Sequence, residues 1–274
     1  MVPADNLDTR RRPKTRAYQL HCEIRENKMK LFSATDVGQI RKDNQDQIYM
    51  SDQPIGNLPN IFIVADGMGG HQAGGFASSY AVQILLESIR RDHDFNPIKI
   101  IRQAMESANS QILKKATTDS AMKGMGTTMV VATVVGHYMY VANVGDSRLY
   151  LVDDSLRQIT KDHSLVEEMI RLGEIKREEA VSHPDKNIIT RALGAKKDID
   201  IDFFDVKLEK GAKVILCSDG LSNMVSDEEM QKVVGKTRKN ANLAQQLVDR
   251  ANKNGGKDNI AVIVIEPDIK EVNE

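Results

Sequence analysis

The sequence is poor in several features that would indicate particular classes of protein. Its 274 residues include two cysteines, no tryptophan and a formal net charge of −1. A chain so close to neutral has no general electrostatic reason to bind nucleic acid or an anionic membrane surface. Cys22 and Cys217 lie far apart and lack CxxC or Cys/His spacing. We expect Cys217, at the end of an apolar strand, to be a buried thiol in a reducing, cytoplasmic protein.

Long apolar runs, internal repeats and low-complexity segments are also missing. No run approaches the roughly 18 to 20 apolar residues that a membrane-spanning helix requires. The arginine-rich start of the chain is not followed by the apolar segment of a signal peptide. We therefore expect a protein that neither enters a membrane nor is exported.

The chain is expected to form one folded domain with a tail at each end. Residues 1–28 are rich in arginine and lysine without apolar periodicity, which predicts a mobile basic tail. A docking or phosphate-attracting arm is the alternative interpretation of this segment. With 41% hydrophobic residues, the chain can bury a full core, which we assign to residues 29–268. Residues 269–274 are predicted to be a short C-terminal tail.

Continuous apolar runs predict the fold class. Segments such as Ile61–Val64, Met129–Val135 and Ile260–Ile265 are typical of strands buried on both faces. Helical patterns near residues 75–91 and 97–117 do not alternate regularly with the strands, so a doubly wound parallel sheet fits poorly. We predict an α+β fold: a four-layer α-β-β-α sandwich in which two antiparallel sheets pack together and helices cover their outer faces.

The stretch from Ile61 to Gly75 predicts where the chemistry lies. An apolar strand ends at Asp66, passes through Gly67-Met68-Gly69-Gly70-His71 and gives way to a helical pattern. The glycines remove side-chain bulk, so backbone groups can approach whatever the carboxylate holds. A hard cation or a phosphate group is the expected ligand.

Four further aspartates lie at strand ends in the same way. Asp146 and Asp219 follow apolar strands, whereas Asp46 and Asp258 precede them. In an antiparallel sheet the beginning of one strand lies beside the end of its neighbour, so these side chains and Asp66 can gather on one rim. Crowded carboxylates repel one another unless cations neutralise them. Oxygen ligands without cysteine or an obligatory histidine favour magnesium or manganese over zinc or copper.

Other interpretations of these motifs remain weaker. Each Asp-Gly or Gly-Asp-Ser sequence alone is an ordinary turn sequence. A calcium loop of the EF-hand kind is excluded because Asp66 lacks acidic partners two and four residues further on. Gln72 stands where a dinucleotide fingerprint needs its third glycine, and no phosphate-binding Lys-Ser/Thr follows. Nucleotide binding is therefore a weak alternative.

Taken in order, the motifs resemble those of the protein phosphatase 2C family, the metal-dependent Ser/Thr phosphatases, in its compact bacterial form. The resemblance covers about residues 29–267, and the family fold is a β-sandwich flanked by helices. The motifs are Asp36-Val-Gly, Arg41-Lys-Asp-Asn44-Gln45-Asp46, Asp66-Gly-Met-Gly-Gly-His71, Gly126-Thr127-Thr128, Gly145-Asp-Ser-Arg148, Asp162-His-Ser, Ile189-Thr-Arg-Ala-Leu-Gly194, Ser218-Asp-Gly and Asp258-Asn259.

The resemblance implies a set of metal ligands. Asp66 would bridge two Mn²⁺ or Mg²⁺ ions, the carbonyl of Gly67 would complete one site, and Asp219 and Asp258 would hold the other. Asp46 would orient metal-bound water from behind these ligands. A hydroxide held between the ions would attack the phosphate in line.

Two further roles follow from the same resemblance. Arg41 would bind the phosphate oxygens with its planar guanidinium group. Asp146, together with Asp219, matches a third and more weakly held metal site of the bacterial branch.

The sequence also departs from the family pattern at two positions. Gln45 replaces a common Glu, which removes one charge near the metal site. Met68 stands where the animal branch has a His proposed as general acid, and Met cannot donate a proton. His71 is the nearby candidate catalytic residue, for which contact with substrate or a structural role is favoured over proton donation. Residues 164–193 correspond to the variable flap of the family.

The resemblance implies an enzyme that removes phosphate from phosphoserine and phosphothreonine in proteins. Such an enzyme would reverse the action of a Ser/Thr kinase in signalling, and we expect a monomer that binds neither nucleic acid nor membrane. The alternative is a catalytically weak phosphatase-like binding or regulatory module. Loss of metal-binding carboxylates would indicate that alternative, and here none is lost.

Overall fold

The computed structural model describes residues 29–70, 73–180, 183–235 and 242–269. The predicted N-terminal tail, residues 270–274, Cys22 and the site candidate His71 lie outside these ranges. The division into tails and one domain therefore stays a prediction.

Within the described ranges, the strands form two antiparallel sheets. One sheet has the order β1-β11-β10-β7-β8 and the other has the order β2-β3-β5-β6-β9, with β4 paired to β3. The strands are β1 (Lys30–Asp36), β2 (Asp46–Ser51), β3 (Ile61–Met68), β4 (Gly126–Thr127), β5 (Met129–Val135), β6 (Tyr138–Val144), β7 (Arg148–Val152), β8 (Leu156–Gln158), β9 (Asp202–Lys207), β10 (Lys213–Cys217) and β11 (Ile260–Glu266).

Helices lie outside the two sheets and in the flap. They are α1 (Ala73–Arg91), α2 (Pro97–Thr118), α3 (Leu165–Leu172), α4 (Arg177–Ala180), α5 (Asp219–Ser222), α6 (Asp227–Gly235) and α7 (Leu243–Lys253). None of these described helices is both long enough and apolar enough to cross a bilayer.

Three apolar clusters make the four layers. Ile61 and Ile63 on one face of β3 pack in a cluster with α1 and α2. Phe62 and Val64, on the opposite face of the same strand, belong to the cluster between the two sheets. A third cluster joins the other sheet to α6 and α7. The continuous apolar runs are thus buried on both faces, and the predicted four-layer sandwich is confirmed.

The helix predicted near residues 97–117 is confirmed as α2, and hydrogen bonds to Asn96 define its start. The side chain of Asn96 accepts from the backbone N–H groups of Ile98 and Lys99, at 3.0 and 3.2 Å. Pro97, at the first helical position, has no N–H group to satisfy. The α1–α2 pair is thereby fixed over the outer face of the sheet that contains β3.

Two of the aspartates lie slightly inside their strands rather than beyond the ends. Asp46 is the first residue of β2 and Asp66 lies two residues before the end of β3. The two face each other in the antiparallel register of β2 and β3. The predicted adjacency therefore arises from direct cross-strand pairing, which places like charges opposite each other.

The predicted flap contains two short helices. Ser164 caps α3, accepting from the N–H of Glu167 at 3.3 Å, and Gly173 ends the helix in the left-handed conformation. A bridge between Ser164 and Ile189 joins the two arms of the flap, and a bridge between Leu193 and Thr127 ties its last residue to β4. Because β4 pairs with β3, the end of the flap is held beside the strand that carries Asp66.

Candidate active site

A pocket of about 560 Å³ collects four of the five predicted carboxylates. Predicted site residues make up a large part of its wall, and the flap contributes two residues. The wall consists of Arg41, Lys42, Asp43, Gln45, Asp66, Gly67, Met68, Gly69, Thr128, Asp146, Asn187, Ile189, Asp219, Asp258 and Asn259.

The fifth carboxylate, Asp46, lies behind this wall and is buried. Its Oδ2 accepts a hydrogen bond of 2.6 Å from the hydroxyl of Ser218, which in turn accepts from the N–H of Ala261 at 2.9 Å. Its Oδ1 is buried and has no hydrogen-bond partner. One oxygen of Asp46 is thus held by a hydrogen bond, and the other oxygen accepts none.

Burial and mutual repulsion raise the pKa values of the carboxyl groups. Burial, with repulsion from Asp219 and Asp258, raises the pKa of Asp46 to about 7, although the hydrogen bond from Ser218 acts to lower it. Burial and repulsion by Asp219 likewise raise the pKa of Asp146 to about 7. The pKa of Asp219 rises to about 6, and that of Asp66 lies well above its usual range. Such a cluster stays ionised at neutral pH when cations offset its charge.

The backbone around Asp66 is fixed by two threonines. The N–H of Asp66 donates to Oγ1 of Thr128 at 3.0 Å, and its carbonyl accepts from Oγ1 of Thr127 at 2.8 Å. Oγ1 of Thr128 also lies 2.7 Å from Oγ of Ser147, next to Asp146. These hydroxyl groups connect the two strand ends that bear Asp66 and Asp146.

Gly67 is required by a close approach of three backbone segments. Its N–H donates to the carbonyl of Gln45 at 3.1 Å. A Cβ at this position would clash with the carbonyl oxygen of Gly74 and lie 2.7 Å from that of Gln45. The predicted reason for glycine, room for the backbone, therefore has a direct steric basis.

Arg41 lies at the rim of the pocket against a predicted metal ligand. Its Nη2 donates to Oδ2 of Asp258 at 2.7 Å, while 56% of its side chain remains exposed. The sequence predicted Arg41 as a phosphate contact but gave no sign of this ion pair. The guanidinium group is thus held beside the carboxylates with much of its surface open to solvent.

Asn259 connects the loop that carries Arg41 to the start of β11, a role that the sequence did not predict. Its Nδ2 donates to the carbonyls of Val37 and Asp43 at 2.9 and 3.0 Å. Its Oδ1 accepts from the N–H of Gln45 at 2.9 Å. The side-chain amide of Asn259 therefore holds both ends of the loop that carries Arg41, next to Asp258. Its position within the Asp258-Asn259 motif was the available signal.

The carboxylates surround the pocket without forming a complete ligand set. Among the described residues, no three Asp, Glu, His or Cys side chains are placed so that one ion could contact them all. Oδ2 of Asp219 accepts from Nδ2 of Asn223 at 3.0 Å, and Asp258 is paired with Arg41. These contacts occupy Oδ2 of each carboxylate, and Oδ1 of Asp219 has no hydrogen-bond partner.

The chemistry of the donors nevertheless suits a hard divalent cation. Oδ1 of Asp46 and Oδ1 of Asp219 are buried oxygens without a hydrogen-bond partner, and both belong to carboxyl groups with raised pKa values. Magnesium and manganese prefer such oxygen ligands. The residues present therefore fit the predicted ions.

The proton donor is not defined by the described residues. Met68 lines the pocket, where the thioether cannot supply a proton. His71 lies outside the described residues, and its role stays a prediction.

Comparison with known proteins gives matches along most of the chain. A family model described as protein phosphatase 2C matches residues 39–262. The chain is 40% identical over 242 residues to the serine/threonine phosphatase stp of Listeria monocytogenes, covering 86% of this chain and 95% of that protein. It is 39% identical to the protein phosphatase PhpP of Streptococcus pneumoniae, covering 86% of this chain and 97% of that protein.

A solved structure extends the likeness to three dimensions. The structure of the catalytic domain of the serine threonine protein phosphatase PstP, in complex with two manganese ions, matches with a TM-score of 0.77 and 30% identity. The match covers 88% of this chain and 99% of that one. The fold of this chain is therefore similar to that of PstP over most of both chains.

Proposed function

The chain belongs to the protein phosphatase 2C family, and on that premise we propose that it hydrolyses phosphoserine and phosphothreonine in proteins with divalent metal ions. The observation that carries this proposal is one pocket in which Asp66, Asp146, Asp219 and Asp258 meet Arg41. Crowded carboxylates favour cation binding because a cation offsets their mutual repulsion, and an adjacent guanidinium group favours a phosphate ester. The pocket therefore combines the two charges that the reaction requires.

We assign the ions to the residues that the family motifs indicate. Asp66, the carbonyl of Gly67, Asp219 and Asp258 would hold two Mn²⁺ or Mg²⁺ ions, and Asp146 with Asp219 a weaker third. When bound, such ions lower the pKa of water and offset the charge of the phosphate. The manganese complex of PstP supports two ions, without distinguishing manganese from magnesium for this chain.

The protein's own groups hold this centre in place. Asp46, fixed by Ser218, would orient the ligands from behind. Arg41 has further N–H donors besides the one on Asp258, and these would bind and orient the phosphate oxygens. The rigid attachment of the Arg41 loop through Asn259 supports that orientation.

We further propose a cytoplasmic monomer that reverses the action of a Ser/Thr kinase. The predicted buried thiol of Cys217 is confirmed, and a thiol outside a disulfide is consistent with a reducing compartment.

Phosphate release from a phosphothreonine peptide tests the function directly. We expect hydrolysis with manganese or magnesium, loss of hydrolysis after chelation, and recovery when either metal is restored. The physical reason is that the ions supply both the activated water and the charge compensation. Hydrolysis that survives complete chelation would contradict the proposal, and a lack of hydrolysis with every metal would favour the binding module.

The third ion is tested by Asp146→Asn, which removes a charge and keeps the shape. The two ions assigned to Asp66, Asp219 and Asp258 should still bind in calorimetric titration. Turnover should fall by about 10- to 100-fold and require more manganese, because one support of a metal site is lost. Ser155→Ala, in an exposed turn, is the control for handling and folding. Loss of the tightest site in Asp146→Asn would instead place Asp146 in the primary pair.

A further inference from the structure

The motif Asp162-His163-Ser164 has no part in the function described above, yet its histidine is among the buried polar residues, with 5% of its surface exposed. We propose that His163 is a positioning residue that locks the Gly145–Asp146 turn to the flap and thereby sets the metal affinity that depends on Asp146. This inference rests on the proposed role of Asp146.

His163 holds both backbone groups of Gly145. The N–H of Gly145 donates to Nδ1 of the His163 ring at 3.0 Å, and the N–H of His163 donates to the carbonyl of Gly145 at 3.0 Å. Gly145 has a φ of 109°, and a Cβ there would lie 2.5 Å from Cβ of Thr128. The turn is thus confined between Thr128 and His163, and Asp146 is the next residue.

The same histidine also holds the returning arm of the flap. The carbonyl of His163 accepts from the N–H of Thr190 at 2.7 Å, and the N–H of Leu165 donates to the carbonyl of Ile188 at 2.8 Å. Ile189, between these two bonds, lines the same pocket as Asp146. One residue therefore fixes the pocket-lining parts of both the turn and the flap.

The contacts of the two ring nitrogens of His163 indicate which of them carries a proton. Nδ1 accepts the Gly145 N–H, so it carries no proton, and the neutral ring has its proton on Nε2. Nε2 lies 3.2 Å from Oδ2 of Asp202 and 3.3 Å from Nη1 of Arg191, and the same Nη1 donates to Oδ1 of Asp202 at 3.0 Å. Burial, together with the charge of Arg191, lowers the pKa of His163 despite the pull of Asp202. The neutral form with an accepting Nδ1 is the form that holds the turn.

Two substitutions separate the functions of the two ring nitrogens. In His163→Asn the side-chain oxygen occupies about the place of Nδ1, so the acceptor for Gly145 is kept and the contact with Asp202 is lost. In His163→Gln the amide reaches towards Asp202, and the acceptor next to Gly145 is lost. Both variants remove the ring, so each is the packing control for the other.

We expect His163→Gln to raise the manganese concentration for half-maximal turnover by about 10-fold or more, a change in the same direction as that expected for Asp146→Asn. His163→Asn should require clearly less manganese than His163→Gln. Amide hydrogen exchange of the metal-free protein provides a readout independent of turnover. Exchange should accelerate at residues 145–147 and 188–191 in the Gln variant and stay slow at residues 145–147 in the Asn variant.

A measurement on the unaltered protein guards against variants that fail to fold. A scalar coupling in the NMR spectrum should connect the N–H of Gly145 to Nδ1 of His163, and its absence would overturn the geometry. Equal metal requirements in both variants would overturn the proposal, because the Gly145 contact would then be irrelevant. If Asp146→Asn itself leaves the manganese titration unchanged, the assignment of Asp146 to a metal site is wrong. The proposed phosphatase function is still supported in that case, provided that peptide hydrolysis depends on metal.

Discussion

Replacing Asp219 with asparagine is expected to lower turnover about 10³-fold or more while the fold persists. A metal centre supplies several kcal/mol of transition-state stabilisation, and about 4 kcal/mol corresponds to about 10³ in rate. Oδ1 of Asp219 is a buried oxygen without a partner, so it is a free ligand position. Asparagine keeps the size of the side chain and an oxygen for Asn223, but it loses the charge that holds a cation.

The stability of this variant distinguishes a metal ligand from a structural carboxylate. Asp219 repels Asp46, Asp66 and Asp146, so the metal-free variant should unfold at the same temperature as the original protein or higher. Asp227→Asn is the matched control, because burial also raises the pKa of Asp227, which does not line the pocket. Near-normal turnover of Asp219→Asn at saturating manganese would refute the ligand assignment.

The second large effect concerns the metal-free protein, whose free energy of unfolding should fall by a few kcal/mol between about pH 5 and pH 8. In the folded state the pKa values of Asp46 and Asp146 are about 7 and that of Asp219 about 6. Between the unfolded pKa near 4 and these values, the folded protein binds more protons than the unfolded chain, so stability is greatest at low pH and decreases as pH rises. Each pKa unit corresponds to about 1.4 kcal/mol, and the groups are coupled, so their effects are not additive.

One group works in the opposite direction. The pKa of His163 is lowered, so its contribution to stability increases with pH, but it is a single residue against several carboxyl groups. Urea unfolding at a series of pH values, with and without manganese, measures the balance. Manganese should remove most of the loss above pH 7, and Asp146→Asn should make the metal-free curve shallower. A metal-free stability that is constant or rises from pH 5 to pH 8 would contradict the expectation.

The strands could be predicted because their burial is encoded locally. A run such as Ile61–Val64 places successive side chains in two different apolar clusters, so its continuous hydrophobicity is visible without any partner. By contrast, α6 was not predicted, because Met230 and Val234 are its only buried residues and too few to define a period. The strand β8, with three residues and no fully buried side chain, was missed for the same reason.

The site could be predicted as a set of charges but not as a set of contacts. The aspartates follow or begin apolar strands, and this sequence signal placed them around one pocket. The Arg41–Asp258 ion pair and the hydrogen bond from Ser218 to Asp46 join residues from distant parts of the chain. Such contacts depend on how the sheets are stacked and on side-chain rotamers, which no local pattern contains.

The position of β11 also determines when the protein can become active during its synthesis. β11 lies between β1 and β10, although it follows both of them along the chain. A nascent chain without β11 has a gap inside one sheet, and it also lacks Asp258 and Asn259, which directly precede that strand. Because synthesis proceeds from the N-terminus, Arg41 emerges from the ribosome long before its partner. A chain that lacks β11, Asp258 and Asn259 is therefore expected to be inactive, because it misses both an inner strand of the sheet and a proposed metal ligand.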